Sequence, residues 1–193
     1  MSLTDFDKEL IATNLLGATT LKELHQKEKT VTNAKMIALQ NEPVVGQLDY
    51  VHLKDIHAFL FADIYSWAGK DRYEAGVKAT FGKGTTFFTA YDKLPVVSTL
   101  LFDALKDEAY FRELDKQTFA KSAASFMNGL NILHPFREGN GRVQRLFMEY
   151  VAKEAGYVLS FRDVTEHEML KASIIGAKGN LFYMEELFRR AIK

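Results

Sequence analysis

Leu133-His134-Pro135-Phe136-Arg137-Glu138-Gly139-Asn140-Gly141-Arg142-Val143-Gln144-Arg145 is the stretch of this 193-residue chain on which the rest of its reading turns. Before it, Phe119, Ala123, Phe126, Met127 and Leu130 recur at helical spacing; after it, Val143, Leu146, Phe147, Tyr150 and Val151 do so again. The spacing predicts two helices, the first ending near Leu133, joined by a short turn. Pro135 helps to fix the exit from the first helix. Gly139 and Gly141 permit positive φ and remove side-chain bulk. Backbone N–H groups would then point outward at a helix N-terminus, where free amides and the helix dipole both favour an anion. Such a nest suits a di- or triphosphate.

The side chains agree with an anion site. Glu138 at the mouth would repel bare phosphates, but it makes sense with a divalent cation between them, and Mg²⁺ held by one carboxylate plus phosphate oxygens is the usual nucleotide arrangement. Arg142 and Arg145, three apart, share a helix face and can bind phosphates, with Val143, Leu146 and Phe147 on the apolar side. His134 has the pKa range of a general base. Base, metal ligand, amide cradle and two arginines are the equipment for displacement at phosphorus. Each residue also has a plainer reading: His134 as a helix C-cap, Gly139 as a residue that ends a helix, Arg145 with Glu149 as an i,i+4 surface pair. Phe136 reads as a core anchor. The conjunction, in order, favours the chemical reading.

Further out, most of the chain is helical in pattern. Asp49 is a plausible N-cap for the stripe Leu53, Ile56, Leu60, Phe61, Ile64; Val97, Leu100, Leu101, Ala104 and Leu105 form another. Thr165 and Glu168 read as a capping box, and Leu181, Met184, Leu187 and Phe188 as a final helix. Weaker helices are expected around Phe6–Leu16 and Thr20–Leu39. Asp71–Thr89 differs: Gly82-Lys83-Gly84 reads as a hairpin tip, with Val77–Phe81 and Thr85–Thr89 as strands. The P-loop pattern fails there, because Gly84 stands where Ser or Thr must follow the Lys. His52 and His57, five apart, fall on different helix faces, and His57 reads as a satisfied, half-buried histidine.

Composition sets limits. Lys plus Arg and Asp plus Glu are both 25, giving zero net charge, so binding nucleic acid through a strong global field is not expected. Cys is absent, which removes disulfides, thiolate metal sites and Cys nucleophiles. No apolar run approaches a membrane span and no secretory leader is evident, so no membrane partner and a cytoplasmic location are expected.

His134 through Arg145 matches HxFx[D/E]GNGRxxR at every specified position, and the chain resembles the Fic family. The resemblance implies a mainly helical, all-α fold with a small β-hairpin flap over the active site. It implies one domain over 1–193, with the core at about 21–187 and 1–20 as an N-terminal helical extension. It implies transfer of AMP from ATP to a Ser, Thr or Tyr hydroxyl of a target protein, releasing pyrophosphate. By position, His134 would be the base and Glu138 the Mg²⁺ ligand. Gly139, Asn140 and Gly141 would form the anion hole, Arg142 would contact phosphates and Arg145 would hold the γ-phosphate. The flap, Thr80, Phe81, Gly82, Lys83, Gly84, Thr85 and Thr86, would dock the target. Many family members carry an inhibitory [ST]xxxE[GN] helix; here Glu before Gly or Asn occurs only at Glu138. This resembles the class inhibited in trans by a small antitoxin-like protein, which would supply a glutamate to Arg145. Bacterial origin is implied, with secretion into a host cell kept open. A phosphotransferase using another donor, or a catalytically silent binding module, is the alternative.

Overall fold

The computed structural model describes residues 3–78, 82–83 and 86–193. Among them are eight α-helices: α1 (Asp5–Thr13), α2 (Leu21–Ala38), α3 (Tyr50–Phe61), α4 (Leu94–Asp107), α5 (Lys116–Leu133), α6 (Asn140–Glu154), α7 (Glu166–Gly176) and α8 (Phe182–Ala191). The expected helical class holds. Local chemistry sets the boundaries. Asp49 accepts from the His52 N–H at the head of α3, and Asp115 accepts from Gln117 and Thr118 at the head of α5. Thr4 with Asp7, and Thr165 with Glu168, close reciprocal capping boxes on α1 and α7. No described helix is long and apolar enough to cross a membrane.

Helix α5 is the central element. It packs on α4, α6 and α8, and its Phe119, Ala123, Ala124 and Leu130 are fully buried. Val143, Phe147 and Val151 of α6 meet it as one apolar stripe. One hydrophobic cluster runs from Leu10 on α1 to Ile192 after α8, so the first helix is packed into the body.

The hairpin is smaller than the pattern suggests. β1 (Gly82–Lys83) pairs antiparallel with β2 (Thr86–Phe87), with Gly82 opposite Phe87 and Lys83 opposite Thr86. Gly82 and Lys83 therefore lie in a strand and not at the tip. Val77, Lys78, Phe88 and Thr89, expected in strands, lie outside the ladder. A two-stranded ribbon has little to hold it beyond its own few bonds, and after β2 the chain is recruited elsewhere: Thr89 donates its N–H to Ile132 O at 2.9 Å, at the end of α5. Thr80, Phe81, Gly84 and Thr85 lie outside the described residues.

Leu130→Ala on the buried face of α5 should destabilise the protein by about 2–5 kcal/mol, because a truncated core leucine loses contacts and leaves a cavity. Urea unfolding measures it, and a change below about 1 kcal/mol would contradict the central placement of α5.

Candidate active site

The turn between α5 and α6 is tight, and two left-handed residues bracket it. His134 ends α5 at φ 43°, ψ 59°, and Gly139 heads α6 at φ 80°. A side chain in this region costs roughly 1–2 kcal/mol, so His134 needs outside support. Arg72 supplies it. Its side chain is fully buried and donates from Nε to His134 O (2.9 Å) and from Nη2 to Leu133 O (3.2 Å) and Thr89 O (2.7 Å). The Arg72 N–H donates to Pro135 O (2.8 Å). A cation thus sits on the carboxyl end of α5, where the helix dipole favours it. Its burial lowers its pKa.

The loop is also closed from within. The Asn140 side chain accepts from Phe136 N–H (2.9 Å) and donates to Phe136 O (2.7 Å). The expected Asn140 site is thereby divided: its amide lies in the first turn of α6, while its buried side chain knits the loop. Phe136 is buried as expected. Gly139 is required twice over, by its positive φ and because a Cβ there would fall 2.3 Å from Phe61 Cζ. Gly141 does not need positive φ; it sits in the first turn of α6, where a Cβ would come 3.3 Å from Arg145 Nη1. Gly139 gives α6 no side-chain cap, so its leading amides are turned to the space before the helix.

That space is a cavity of about 390 Å³, lined by His134, Glu138, Gly139, Gly141, Arg142 and Arg145 on one side. Gln144 and Glu166 add polar groups, and a mostly apolar surface that includes Phe88, Met127, Met169 and Leu170 completes the wall. The volume and the mixed lining, apolar with a few converging charges, suit a small-molecule ligand. Phe88, just after β2, stacks face to face on the His134 imidazole, centroids 3.7 Å apart and planes 2° apart. The end of the hairpin thus touches the candidate base directly. His134 is both things the sequence allowed, the C-cap of α5 and a cavity residue.

The two arginines differ. Arg142 does not project freely. It is ion-paired with the buried Glu28 of α2, lies 3.5 Å from Glu138, and places its guanidinium over the Phe61 ring at 4.7 Å. Glu28 is held in turn by the Tyr65 hydroxyl, at 2.6 Å. Arg145 is half-buried, and no ion pair holds it among the described residues. Burial lowers its pKa first, with Arg142 adding to the effect and Glu166 and Glu149 opposing it. The Glu149 surface pair is therefore not what fixes it. Arg137, inside the turn, pairs with Glu9 of α1 and lies over Phe6.

A resident metal finds no cage here: no group of three His, Asp or Glu side chains converges among the described residues. The Glu138 carboxylate on the cavity wall, at the mouth of the turn, instead fits a cation that brings its other oxygen ligands with a phosphate.

His57 was legible only as a satisfied histidine, and it is more. It is fully buried and stacked on Phe136 with centroids 4.0 Å apart. Its Nδ1 accepts from Gly69 N–H (2.8 Å), so Nε2 carries the proton and donates to Glu138 O (3.1 Å). Desolvation pushes its pKa down to about 4, with Arg142 helping and the bond to Glu138 opposing. Between pH 6.5 and 4 the unfolded chain takes up a proton at His57 that the native state refuses. Native stability should therefore fall as pH drops through this window, by roughly 3 kcal/mol at 1.36 kcal/mol per unit. Urea titrations of wild type and the non-titrating His57→Phe from pH 7 to 4 would show this fall in wild type alone; parallel curves would contradict a neutral buried imidazole.

Gly139→Ala tests the turn. The Phe61 contact and the strained φ together should cost about 3 kcal/mol, read as a lowered unfolding midpoint; an unchanged midpoint would contradict the close approach.

Comparison with known proteins places this geometry. The Fic/DOC family model matches residues 47–152. Protein adenylyltransferase VbhT of Bartonella schoenbuchensis is 37% identical over 177 residues, 92% of this chain and 36% of the relative. "Probable protein adenylyltransferase Fic" of Escherichia coli is 30% identical over 182 residues, 94% of this chain and 88% of the relative. The chain spans about a third of the length of VbhT and of a Bartonella henselae adenylyltransferase. Among solved structures, an N-terminal Fic domain from Bartonella quintana with bound ADP superposes with a TM-score of 0.87 at 30% identity, covering 93% of this chain and 89% of that one. BepC of Bartonella tribocorum with bound AMPPNP gives 0.83 at 27%, covering 93% and 91%.

Proposed function

The chain belongs to the Fic/DOC family, and on that footing we propose that it is a protein adenylyltransferase, moving AMP from ATP to a hydroxyl of a target protein. The observation that carries the proposal is the cavity itself, where His134, Glu138, the α6 amide end and Arg145 line one wall. The relatives named adenylyltransferases and the nucleotide-bound neighbours support it.

In this mechanism the triphosphate lies at the start of α6, where the leading amides and the helix dipole favour it. Arg145 takes the γ-phosphate and Arg142 contributes from its fixed place between Glu28 and Glu138. Glu138 would hold Mg²⁺, which neutralises phosphate charge when bound. A target Ser, Thr or Tyr hydroxyl attacks the α-phosphorus. The new O–P bond forms as the bond from the α-phosphorus to the bridging oxygen breaks, and pyrophosphate leaves. His134 accepts the hydroxyl proton. Its imidazole is held by the αL backbone and the Phe88 stack, so little positional freedom is lost in reaching the reactive geometry.

The hairpin would receive the target by pairing with its backbone, bringing the hydroxyl past Phe88 to His134. Arg145, held by no carboxylate among the described residues, is where the glutamate of a trans-acting inhibitory protein would bind. We place this work in a cytoplasm, the cell's own or a host's, where ATP and target proteins are found; several similar Fic domains are named VirB-translocated effectors.

The test is transfer from ATP labelled at the α- or at the γ-phosphate, with Mg²⁺ and bacterial lysate, beside His134→Ala. Label on protein from the α position alone, lost in His134→Ala while ATP binding persists, is expected. Label from the γ position alone, or undiminished transfer in the variant, would overturn the assignment.

A further inference from the structure

We propose that His57 is a positioning residue of the nucleotide site, fixing the Glu138–Gly139 peptide so that the Gly139 N–H faces the phosphates. The inference rests on the nucleotide reading of the cavity. His57 is not among the residues lining that cavity, so it acts through the loop.

A trans peptide holds its C=O and N–H on opposite sides of a rigid plane, and the chain has no cis peptide among the described residues. Whatever fixes the Glu138 oxygen therefore aims the Gly139 N–H the other way. His57 Nε2 bonds that oxygen at 3.1 Å. On the opposite side the Gly139 N–H points at an anion already, donating to the Glu138 carboxylate at 2.9 Å. Glu138 and Gly139 both line the cavity.

The bond cannot reverse its sense. Gly69 N–H donates to Nδ1 at 2.8 Å, so Nδ1 has no room for a proton and Nε2 must be the donor. Stacking fixes the plane of the ring, with Phe136 on it at 4.0 Å and Phe61 at 4.7 Å. The turn that supplies Gly69 is itself built for this approach: Gly69 has φ 82°, and a Cβ there would fall 2.9 Å from Ala58 Cβ. A buried imidazole with both nitrogens committed is a rigid strut from α3 to the anion cradle. A neutral donor there leaves the electrostatics of the cradle to the arginines and amides.

The test uses the full chain and three measurements. ¹⁵N NMR of the nucleotide-free protein should show His57 as the Nε2–H tautomer from pH 6 to 8; the Nδ1–H tautomer would overturn the proposal without any variant. ADP and adenosine titrations then compare His57→Phe, which keeps a stacked ring but no donor, with His57→Gln, which can place a donor near the Nε2 position. His57→Phe should weaken ADP binding about tenfold and leave adenosine binding unchanged, with His57→Gln recovering to within about threefold of wild type. Equal losses for ADP and adenosine, or for both variants, would overturn the positioning role in favour of general packing. If wild type binds no ADP while the Nε2–H tautomer is present, the nucleotide reading fails and the role given to His57 falls with it, although the bond itself stands.

Discussion

The buried guanidinium of Arg72 is the interaction on which the site depends. It gathers carbonyls from Leu133, His134 and Thr89, so one side chain ends α5, holds the left-handed His134 and fastens the exit of the hairpin. Carbonyls at a buried helix end need donors. Here the donor is a cation, and such charge-assisted bonds are roughly twice as strong as neutral ones. Once the end of α5 is set, the loop has few options. Asn140 closes it on Phe136, Phe61 excludes any side chain at Gly139, and His57 orients the peptide before it. The turn is therefore fixed by contacts within the protein, and a ligand received there would cost it little conformational entropy.

A second layer comes from the N-terminal helices. Glu9 of α1 pairs with Arg137, and Glu28 of α2 with Arg142. Both helices precede the residues that the family model matches. Two of the three arginines in the turn and its helix are thus placed by carboxylates from outside the matched segment, and only Arg145 faces the cavity without an ion pair among the described residues. Helix α1 belongs to the site's support, with Leu10 in the core.

Much of this was legible in the amino-acid sequence because it is local. The apolar stripes of α3 to α6, the Asp49 cap, the Thr165–Glu168 box and the turn from His134 to Arg145 all follow from residues within a few positions of one another. The missed residues act across long separations: 62 residues from Arg72 to His134, 81 from His57 to Glu138 and 114 from Glu28 to Arg142. No periodicity encodes such pairs. The anchoring of Arg142 escapes the sequence for the same reason, since its partner Glu28 lies on a distant helix. The hairpin tip was misplaced because Gly82-Lys83-Gly84 has turn composition, while cross-strand pairing decides the register. A polar, titratable residue in an apolar setting was the available signal: Glu28 faces the same side of α2 as Leu24, and His57 adjoins Ile56 in the apolar stripe of α3.

The central claim is that a preformed amide cradle receives a nucleotide's phosphates, and a crystal structure of the protein with AMPPNP and Mg²⁺ tests it most directly. The account predicts phosphate oxygens within hydrogen-bond distance of the Gly139 to Gly141 amides and of Arg145, with the 134–140 backbone unmoved. Phosphates bound elsewhere, or a turn that rebuilds itself around them, would contradict it.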